Sequence, residues 1–278
     1  MANGAQPLNR YEARSTEGEK AVQAYAKGVR KMKERDANDP TSWDFQAAIH
    51  GSHSHPEEPP WNQCEHESWF FFPWHRIYLY YFERIVRKAV VEAGGEESWS
   101  LPYWNYGLEG ENGALPDLFL KPDNQQNPLY VAQRNQIRNA GWPIEGMAVA
   151  EEQALQLRQF EGNAMFGGEK APAKARFWEH QGRPEGSPHG AVHNQIGGWM
   201  KNPDTAAQDP IFWLHHANID RIWAVWNERE GGANPNAKPW REQGFEFFDA
   251  DGKPAAKTCE EVTATALLGY TYDPDPGS

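Results

Sequence analysis

The sequence predicts a mainly α-helical fold with a four-helix core, long loops and few short strands. Three observations lead to this fold class. Apolar residues recur at helical spacing in several separate segments. The intervening segments 96–147 and 161–187 are rich in Gly, Pro and Asn, which favour loops. No internal repeat divides the 278 residues, so we expect a single domain spanning 1–278.

Two helices are predicted before residue 51. Thr16 and Glu19 form a candidate capping box that opens a helix running to about Asp36. Its apolar residues fall on one face, as expected of a helix packed on a core. After the break at 38–41, a second helix should carry its aromatic residues up to His50.

The rest of the chain predicts one long buried helix and several shorter elements. The long helix begins around Trp74 and ends at Gly94, with apolar positions nearly all round. Segment 96–147 is expected to be an extended surface loop. The later elements are a helix near 148–160, helices at about 189–196 and 211–230, and a short strand within Ala264–Tyr272.

Charge and composition exclude several classes of protein. A net charge of −12 and a pI near 5.3 argue against nucleic-acid binding, which needs a basic surface. No apolar run approaches the ~20 residues of a membrane span. The first residues lack the features of a secretory signal, so a cytoplasmic location is expected, with a trimmed signal or helper-mediated secretion left open. Cys64 and Cys259 could form at most one disulfide, for which nothing in the sequence argues.

Six of the ten histidines fall into two separated groups rich in aromatic neighbours. The first group is His50, His66 and His75, and the second is His189 and His193 with one of the adjacent pair His215 and His216. His189 and His193 are four residues apart, which puts both rings on one face of a helix. The same spacing also occurs between ordinary core or surface histidines. Imidazole suits copper, zinc, iron and nickel, so the ligand type alone does not choose a metal.

Two carboxylates share helix faces with these histidines. Glu83 follows His75 by eight residues, and Asp220 follows His216 by four. We expect them to accept hydrogen bonds that orient ligating rings from outside the coordination sphere. The alternative is a set of salt bridges on the helix surface with Arg76, Arg84 and Arg221.

The histidine motifs resemble those of the type-3 dinuclear copper family, which contains tyrosinases, catechol oxidases (polyphenol oxidases) and molluscan haemocyanins. The matching motifs run from His66 through Phe71, Trp74, His75 and Arg76 to Glu83, and from Asp209-Pro210 through Phe212 and His216 to Asp220, with His189-x-x-x-His193 between them. The resemblance extends from the helix before His50 to Tyr270-Thr-Tyr272. It implies a four-helix core that holds two copper ions.

The resemblance also assigns the copper ligands. One copper ion would be bound by His50, His66 and His75, and the other by His189, His193 and His216. The family motif places the last ligand four residues before the aspartate, so His215 is expected to be a packed, hydrogen-bonded histidine. The histidines at positions 53, 55 and 180 are expected to be surface residues.

A cysteine two residues before the second ligand suggests a covalent crosslink. In fungal tyrosinases and molluscan haemocyanins, a cysteine at that spacing forms a thioether with the histidine. The resemblance therefore implies a thioether between Cys64 and His66. The alternative is a plain buried thiol, since cysteine is among the most buried residue types.

The function implied is oxidation of o-diphenols, and of o-aminophenols, to o-quinones with dioxygen. Some family members also hydroxylate monophenols, using a glutamate and an asparagine that hold a water. Glu185 occupies the glutamate position, although an exposed loop carboxylate is an equal alternative. The asparagine position is Gly190, and Asn194 follows the second histidine instead. We therefore expect diphenol oxidation to exceed monophenol hydroxylation.

Further expectations concern the substrate pocket, partners and access. Met200 and Pro203 should lie near the mouth of a pocket that Gly190 and Phe212 also line. A phenolic small molecule and dioxygen are the expected partners, with a copper-delivery helper protein left open. The chain ends six residues after Tyr272, so a catalytic domain without a C-terminal lid is expected. The alternatives are a haemocyanin-like dioxygen carrier and a dinuclear zinc hydrolase, which would usually add bridging carboxylates.

Overall fold

Helices form the core of the protein, and the predicted mainly α-helical fold class is confirmed. The computed structural model describes residues 6–108, 110–175, 180–229 and 232–273. The helices are α1 (Thr16–Lys33), α2 (Trp43–His50), α3 (Phe71–Glu92), α4 (Gln136–Asn139), α5 (Met147–Leu155), α6 (Ala191–Ile196), α7 (Pro203–Ala206), α8 (Ile211–Glu228) and α9 (Lys238–Arg241). The strands are β1 (Leu8–Arg10), β2 (Gly244–Phe248), β3 (Pro254–Thr258) and β4 (Tyr270–Tyr272). None of the helices within these described ranges is both long and apolar enough to cross a membrane.

The first helix begins differently from the prediction. Ser15, not Thr16, is the N-cap, and its hydroxyl accepts a hydrogen bond from the backbone N–H of Gly18 at 3.0 Å. A serine oxygen there satisfies an N–H group that the helix itself leaves unpaired. The helix ends at Lys33, three residues before the predicted end at Asp36.

Helix α3 lies at the centre of the packing, as its apolar pattern predicts. It is buried on almost every side and packs against α1 and α8. The rings of Phe82 on α3 and Trp213 on α8 are nearly parallel, with 7° between their planes. Each fully buried side chain of this size contributes about 1.5–3 kcal/mol through the hydrophobic effect. The four helices α2, α3, α6 and α8 carry most of the grouped histidines.

Two short strand pairs complete the fold. Strand β1 pairs in parallel with β4, so that Arg10 lies opposite Tyr272 and the two ends of the described chain meet. The predicted strand within Ala264–Tyr272 is therefore only its last three residues. Strands β2 and β3 form an antiparallel hairpin that the sequence did not reveal.

The segment between α3 and α5 departs from the expectation of a surface loop. Its backbone is irregular apart from α4 and short 3₁₀ turns, but Tyr103, Trp104 and Phe119 are completely buried. These rings complete the core, which explains why aromatic residues recur in a segment with so little regular structure. The predicted end of the last long helix, at residue 230, lies outside the described residues, and α8 is helical to Glu228.

Candidate metal centre

The fold brings the two histidine groups to the same interior region. The first group comes from the end of α2, the loop before α3 and the second turn of α3. The second group comes from a π-helical turn (Glu185–Gly190), α6 and α8. Secondary structure therefore fixes the backbone at all of these histidines except His66.

The rings of the first group lie close to one another. The ring centroids of His50 and His66 are 5.4 Å apart, and His75 lies 5.1 Å from His66 and 5.8 Å from His50. The sulfur of Cys64 and a ring nitrogen from each of His50 and His66 all lie within 4.8 Å of one another. His50, His66 and Cys64 thus offer ligand atoms within reach of a common point, and the ring of His75 lies beside them.

The second group is similarly close. The Nε2 atoms of His193 and His216 are 3.4 Å apart, and the rings of His189 and His193 are separated by 4.6 Å. One ligand atom each from His189, His193, His215 and His216 falls within a 4.8 Å span. Sequence reasoning predicted three of these four rings.

His215 and His216 differ in what they face. The His216 ring stacks on His75 of the first group at 4.6 Å and 12°. His215 instead stacks on His189 and lies beside Tyr106. The expectation that His215 is hydrogen-bonded is wrong, since neither of its ring nitrogens has a hydrogen-bond partner among the described residues. Of these two rings, His216 is therefore the one that contacts the first group.

Backbone carbonyls orient four of the rings through Nδ1. The bonds run from His50 to Pro203 (3.0 Å), His75 to Phe71 (2.7 Å), His189 to Glu185 (2.8 Å) and His193 to Met200 (2.6 Å). A carbonyl oxygen can only accept, so each Nδ1 carries the proton and each Nε2 offers a lone pair. This is the tautomer that binds a metal through Nε2.

Burial keeps these rings neutral. It lowers the pKa of His75 to about 3 and that of His193 to about 4. It also lowers the pKa of His189 and His216 well below the ordinary value, with the neighbouring histidines adding to the effect. Within the described residues, the buried Nε2 atoms of His75 and His189 have no hydrogen-bond partner. Buried lone pairs are costly when unsatisfied, so they fit a bound cation.

The prediction that Asp220 orients a ligating ring is wrong. Its carboxylate accepts hydrogen bonds from Arg10 Nη1 (3.2 Å), from Arg76 Nε, and from the hydroxyls of Tyr270 and Tyr272 (2.6 Å each). Burial alone would raise the pKa of Asp220, but the guanidinium groups of Arg76 and Arg10 lower it below its ordinary value. Asp220 therefore joins α3 and α8 to the β1–β4 pair.

Glu83 belongs to the same buried network and also contacts no histidine. It accepts hydrogen bonds from Arg10 Nε (2.8 Å), Arg87 (2.5 Å) and the backbone N–H of Leu101 (3.2 Å). The alternative of surface salt bridges is wrong as well, because the Arg76 pair is buried and Arg221 pairs with Glu151. Sequence reasoning missed Arg10, which no local pattern connects to residues so distant along the chain.

A cleft of about 310 Å³ opens beside the histidines. The predicted pocket residues Gly190, Met200 and Pro203 line it, as do Glu185 and Asn194. Its size lies in the range that accommodates small aromatic ligands.

Phe212 corrects one pocket prediction. It is fully buried and is not part of the cleft wall. Its ring lies 4.1 Å from that of His216 and 4.9 Å from that of His50. Phe212 therefore supports the two rings from within the core and does not contact the cleft.

Glu185 is buried, so the alternative of an exposed loop carboxylate is wrong. Only 1% of its surface is exposed, and its Oε1 accepts a hydrogen bond of 2.6 Å from the backbone N–H of Glu67. Burial raises its pKa to about 8. Glu67, which sequence reasoning missed, also lines the cleft and has a left-handed backbone with φ of 59°. Asn194 is exposed and donates its amide N–H to Gly190 O at 2.9 Å.

The remaining cysteines and histidines have simpler surroundings. Cys64 and Cys259 are both buried, and no disulfide joins them in the described part of the chain. The thioether between Cys64 and His66 stays a prediction, now supported by the closeness of the sulfur to the ring. His53 is exposed and pairs with Asp204, and His180 pairs with Glu169, both outside the histidine groups.

Comparison with known proteins gives a consistent result. A family model described as the common central domain of tyrosinase matches residues 40–229. The chain is 39% identical to a tyrosinase of Hahella sp. (strain CCB-MM4) over 90% of its own length and 60% of that protein. It is 30% identical to (+)-larreatricin hydroxylase of Larrea tridentata over 90% of its length and 46% of the relative. The chain thus spans roughly half to three-fifths of these relatives.

Solved structures share the fold. Latent apple tyrosinase superposes with a TM-score of 0.79 at 26% identity, covering 97% of this chain and 63% of the apple chain. Grape (Vitis vinifera) polyphenol oxidase has a TM-score of 0.82 at 24% identity over 99% of this chain and 87% of that chain, which is a likeness of fold alone. Members of this family hold a dinuclear copper site, which the two histidine groups fit. The chain belongs to the tyrosinase family.

Proposed function

We propose that this chain is a copper-dependent polyphenol oxidase that uses dioxygen to oxidise o-diphenols to o-quinones and o-aminophenols to the corresponding o-quinone imines. The observation that carries the proposal is the convergence of two groups of neutral imidazoles beside an open cleft. Four of these rings are held by carbonyls with Nε2 left as a ligand. Monophenol hydroxylation is proposed as the weaker activity.

The ligand sets we propose are those of the two groups. His50, His66 and His75 would hold one copper ion, and His189, His193 and His216 the other. We choose His216 over His215 because only His216 also contacts rings of the first group. Bound copper would supply the electron transfer to dioxygen. Each of two diphenols loses two electrons and two protons. One dioxygen molecule takes up the resulting four electrons and four protons and becomes two water molecules.

The protein's own contribution is to orient the phenol and take its proton. The cleft admits a planar ring, and a ring seated there would lie against His50, His66, His189 and His193. Glu185 lies in the cleft wall, and once it is ionised, above its raised pKa of about 8, it can accept the phenolic proton on a carboxylate oxygen. The exposed amide of Asn194 is bound to Gly190 O, which leaves its carbonyl oxygen to hold a water or substrate hydroxyl. This arrangement differs from the family's and supports the lower rank of hydroxylation.

Two other functions are less well supported. A dioxygen carrier has no need for a substrate-sized cleft that opens at the histidines. A dinuclear zinc hydrolase would usually include bridging carboxylates, and no Asp or Glu belongs to either ligand group among the described residues. We further propose one catalytic domain over 1–278, with phenol and dioxygen as partners. A copper-delivery helper and a cytoplasmic location stay predictions.

The test is oxygen uptake by copper-loaded protein given 4-methylcatechol and then 4-methylphenol. We expect rapid uptake with the catechol and slower uptake, after a lag, with the monophenol. Equal rates would contradict the proposed order of the activities. No uptake with either, from protein shown to hold two copper ions, would favour the carrier function.

A pair of variants separates the metal centre from nonspecific oxidation by loose copper. His189→Ala removes a proposed ligand and should abolish uptake while lowering copper content. His180→Ala makes the same change outside the histidine groups and should retain both oxygen uptake and copper content. If the two variants behave alike, copper bound elsewhere is responsible for the oxidation.

A further inference from the structure

One short segment supports both histidine groups. We call Met200–Pro203 the carbonyl segment, because two of its backbone carbonyl oxygens accept hydrogen bonds from histidine rings. Met200 O binds His193 Nδ1 at 2.6 Å, and Pro203 O binds His50 Nδ1 at 3.0 Å. His193 belongs to the second group and His50 to the first. A shift of this segment would therefore disturb one ring in each group.

The segment rests directly against the chain that follows α2. Gly51 is so close that a Cβ atom there would lie 2.4 Å from Pro203 O and 2.8 Å from Asp204 Cα. Both contacts are with backbone atoms, which a side-chain rotation cannot relieve. The backbone of Gly51 is extended, with φ of −166°, which any residue can adopt. Glycine is therefore needed here because the Pro203 backbone approaches so closely, and not because of its own backbone conformation.

His53 bridges the two sides of Pro203. Its Nδ1 lies 2.9 Å from Asp204 Oδ2, and its Nε2 lies 3.1 Å from Asn202 Nδ2. Asn202 in turn caps α7 by accepting a hydrogen bond from Asp204 N at 3.0 Å. The imidazole thus holds the residues immediately before and after the carbonyl that orients His50.

None of these three polar residues is part of the cleft wall. Met200 and Pro203 line the cleft, whereas His53, Asn202 and Asp204 do not. The side chain of His53 is 63% exposed, and the residue belongs to neither ligand group. Substituting it leaves every proposed ligand and every cleft residue unchanged. An effect on copper would then have to pass through the carbonyl segment.

We propose that His53 is a positioning residue that clamps the carbonyl segment and thereby couples the two histidine groups, so that the two copper ions bind as a pair. The inference rests on the proposed function, because it uses the ligand sets assigned there. It adds a residue outside the coordination sphere and a reason for the two half-sites to fill together. The coupling follows because a single rigid segment fixes one ligand of each ion.

The size of the effect follows from where each change acts. Partners that orient a metal ligand typically change metal affinity by 10- to 100-fold when they are lost. Gly51→Ala displaces the carbonyl itself, so we expect a loss of about that size. His53→Ala removes an exposed pair one step further away, so we expect a loss of up to about five-fold for both ions. His53→Gln offers an amide to the same partners and should restore part of the affinity.

The experiment measures copper retention by the full chain. Protein loaded with copper(II) is equilibrated against increasing concentrations of a chelator, and copper per chain is determined at each concentration. Electron paramagnetic resonance of the same samples detects chains that keep a single copper(II) ion, because a lone ion is paramagnetic and a coupled pair gives no signal. Asp123→Ala, which removes an exposed carboxylate paired with Lys121, is the matched control for Asp204→Ala.

The expected result is a joint loss of both ions. His53→Ala, Asp204→Ala and Gly51→Ala should release copper at lower chelator concentrations than wild type, without a population that retains one ion. Asp123→Ala should match wild type. If Gly51→Ala fails to fold, the series His53→Ala, His53→Gln and wild type decides the question alone.

Two outcomes would overturn the inference. One is an unchanged release curve for the His53 and Asp204 variants. The other is selective loss of one ion, which would show that the half-sites are independent. Wild-type protein that never holds two copper ions would overturn the proposed function as well, which keeps the two failures distinguishable.

Discussion

Replacing Asp220 by asparagine tests whether this residue stabilises the fold or orients a copper ligand. The carboxylate is fully buried and accepts hydrogen bonds from two arginines and two tyrosines, at 2.6 Å from each tyrosine. Asp220→Asn keeps the shape of the side chain but removes its charge. The guanidinium of Arg76 then lies buried without a carboxylate, while Arg10 keeps Glu83 as a partner.

The expected cost is large because the pair is buried. Removing one partner of a buried ion pair costs about 3–5 kcal/mol, since it leaves an uncompensated charge. For a protein of this size that lowers Tm by about 10 °C. Thermal and urea unfolding of the copper-free protein at pH 7 would measure it. Asp251→Asn, in an exposed pair with Lys88, is the control and should leave Tm unchanged.

The effect should depend on pH in a defined direction. The arginines lower the pKa of folded Asp220 below its unfolded value. The stability it contributes is therefore complete above the unfolded pKa of about 3.9 and is lost as the pH falls through the folded pKa. The difference in unfolding free energy between wild type and Asp220→Asn should thus be constant near neutrality and shrink in acid.

One result would refute this reasoning. If Asp220→Asn unfolds like wild type but binds copper 10- to 100-fold more weakly, the carboxylate acts on a metal ligand. The hydrogen-bond network described for Asp220 would then be wrong. Unchanged copper affinity in the folded variant, with lowered Tm, agrees with the structure.

Three further predictions concern the cleft and the first histidine group. Gly190→Asn introduces the asparagine found in the family, at a position where a Cβ would meet only one backbone oxygen, at 3.4 Å. The ratio of monophenol to diphenol turnover should therefore rise. An unchanged ratio would exclude a role of this asparagine in hydroxylation. Glu67 and Lys201 line the cleft and form no ion pair with any described residue. Glu67→Gln removes a negative charge and should lower kcat/KM for the cation dopamine by about five-fold relative to 4-methylcatechol. Lys201→Gln removes a positive charge and should lower kcat/KM for a carboxylated catechol by a similar factor. Equal losses for all three substrates would argue against charge recognition. A thioether between Cys64 and His66 should lower the intact mass by two hydrogen atoms and protect the sulfur from alkylation in unfolded protein, whereas normal alkylation would mean a free thiol.

Local spacing accounts for the parts of the fold that were predicted correctly. Helices α1, α2, α3 and α8 each bury an apolar face, so their apolar residues recur at helical spacing within a short stretch of sequence. The histidine motifs are equally local, because ligands four residues apart need only one helix turn to share a face. Prediction failed by one to five residues at helix ends, where capping depends on single side chains such as Ser15.

Partners far apart along the chain were not predictable. Arg10 and Asp220 are separated by 210 residues, and nothing near either of them indicates the other. The Asp220 spacing suggested a contact with His216 on the same helix, but the carboxylate faces Arg10 and Arg76 instead. Position on a helix limits the directions available to a side chain, whereas the packed neighbours decide among them.

The chemistry of the centre divides in the same way. The sequence by itself determined the family, and it predicted imidazole ligands in two groups of three and most of the cleft residues. Tertiary structure alone decided which carbonyl oxygens accept hydrogen bonds from the rings, the burial of Glu185, the place of Phe212 behind the rings and the contact of His216 with His75. Every residue has a carbonyl, so no residue type marks Met200 and Pro203 as the acceptors. They become so only because packing at Gly51 brings a distant segment against the histidines.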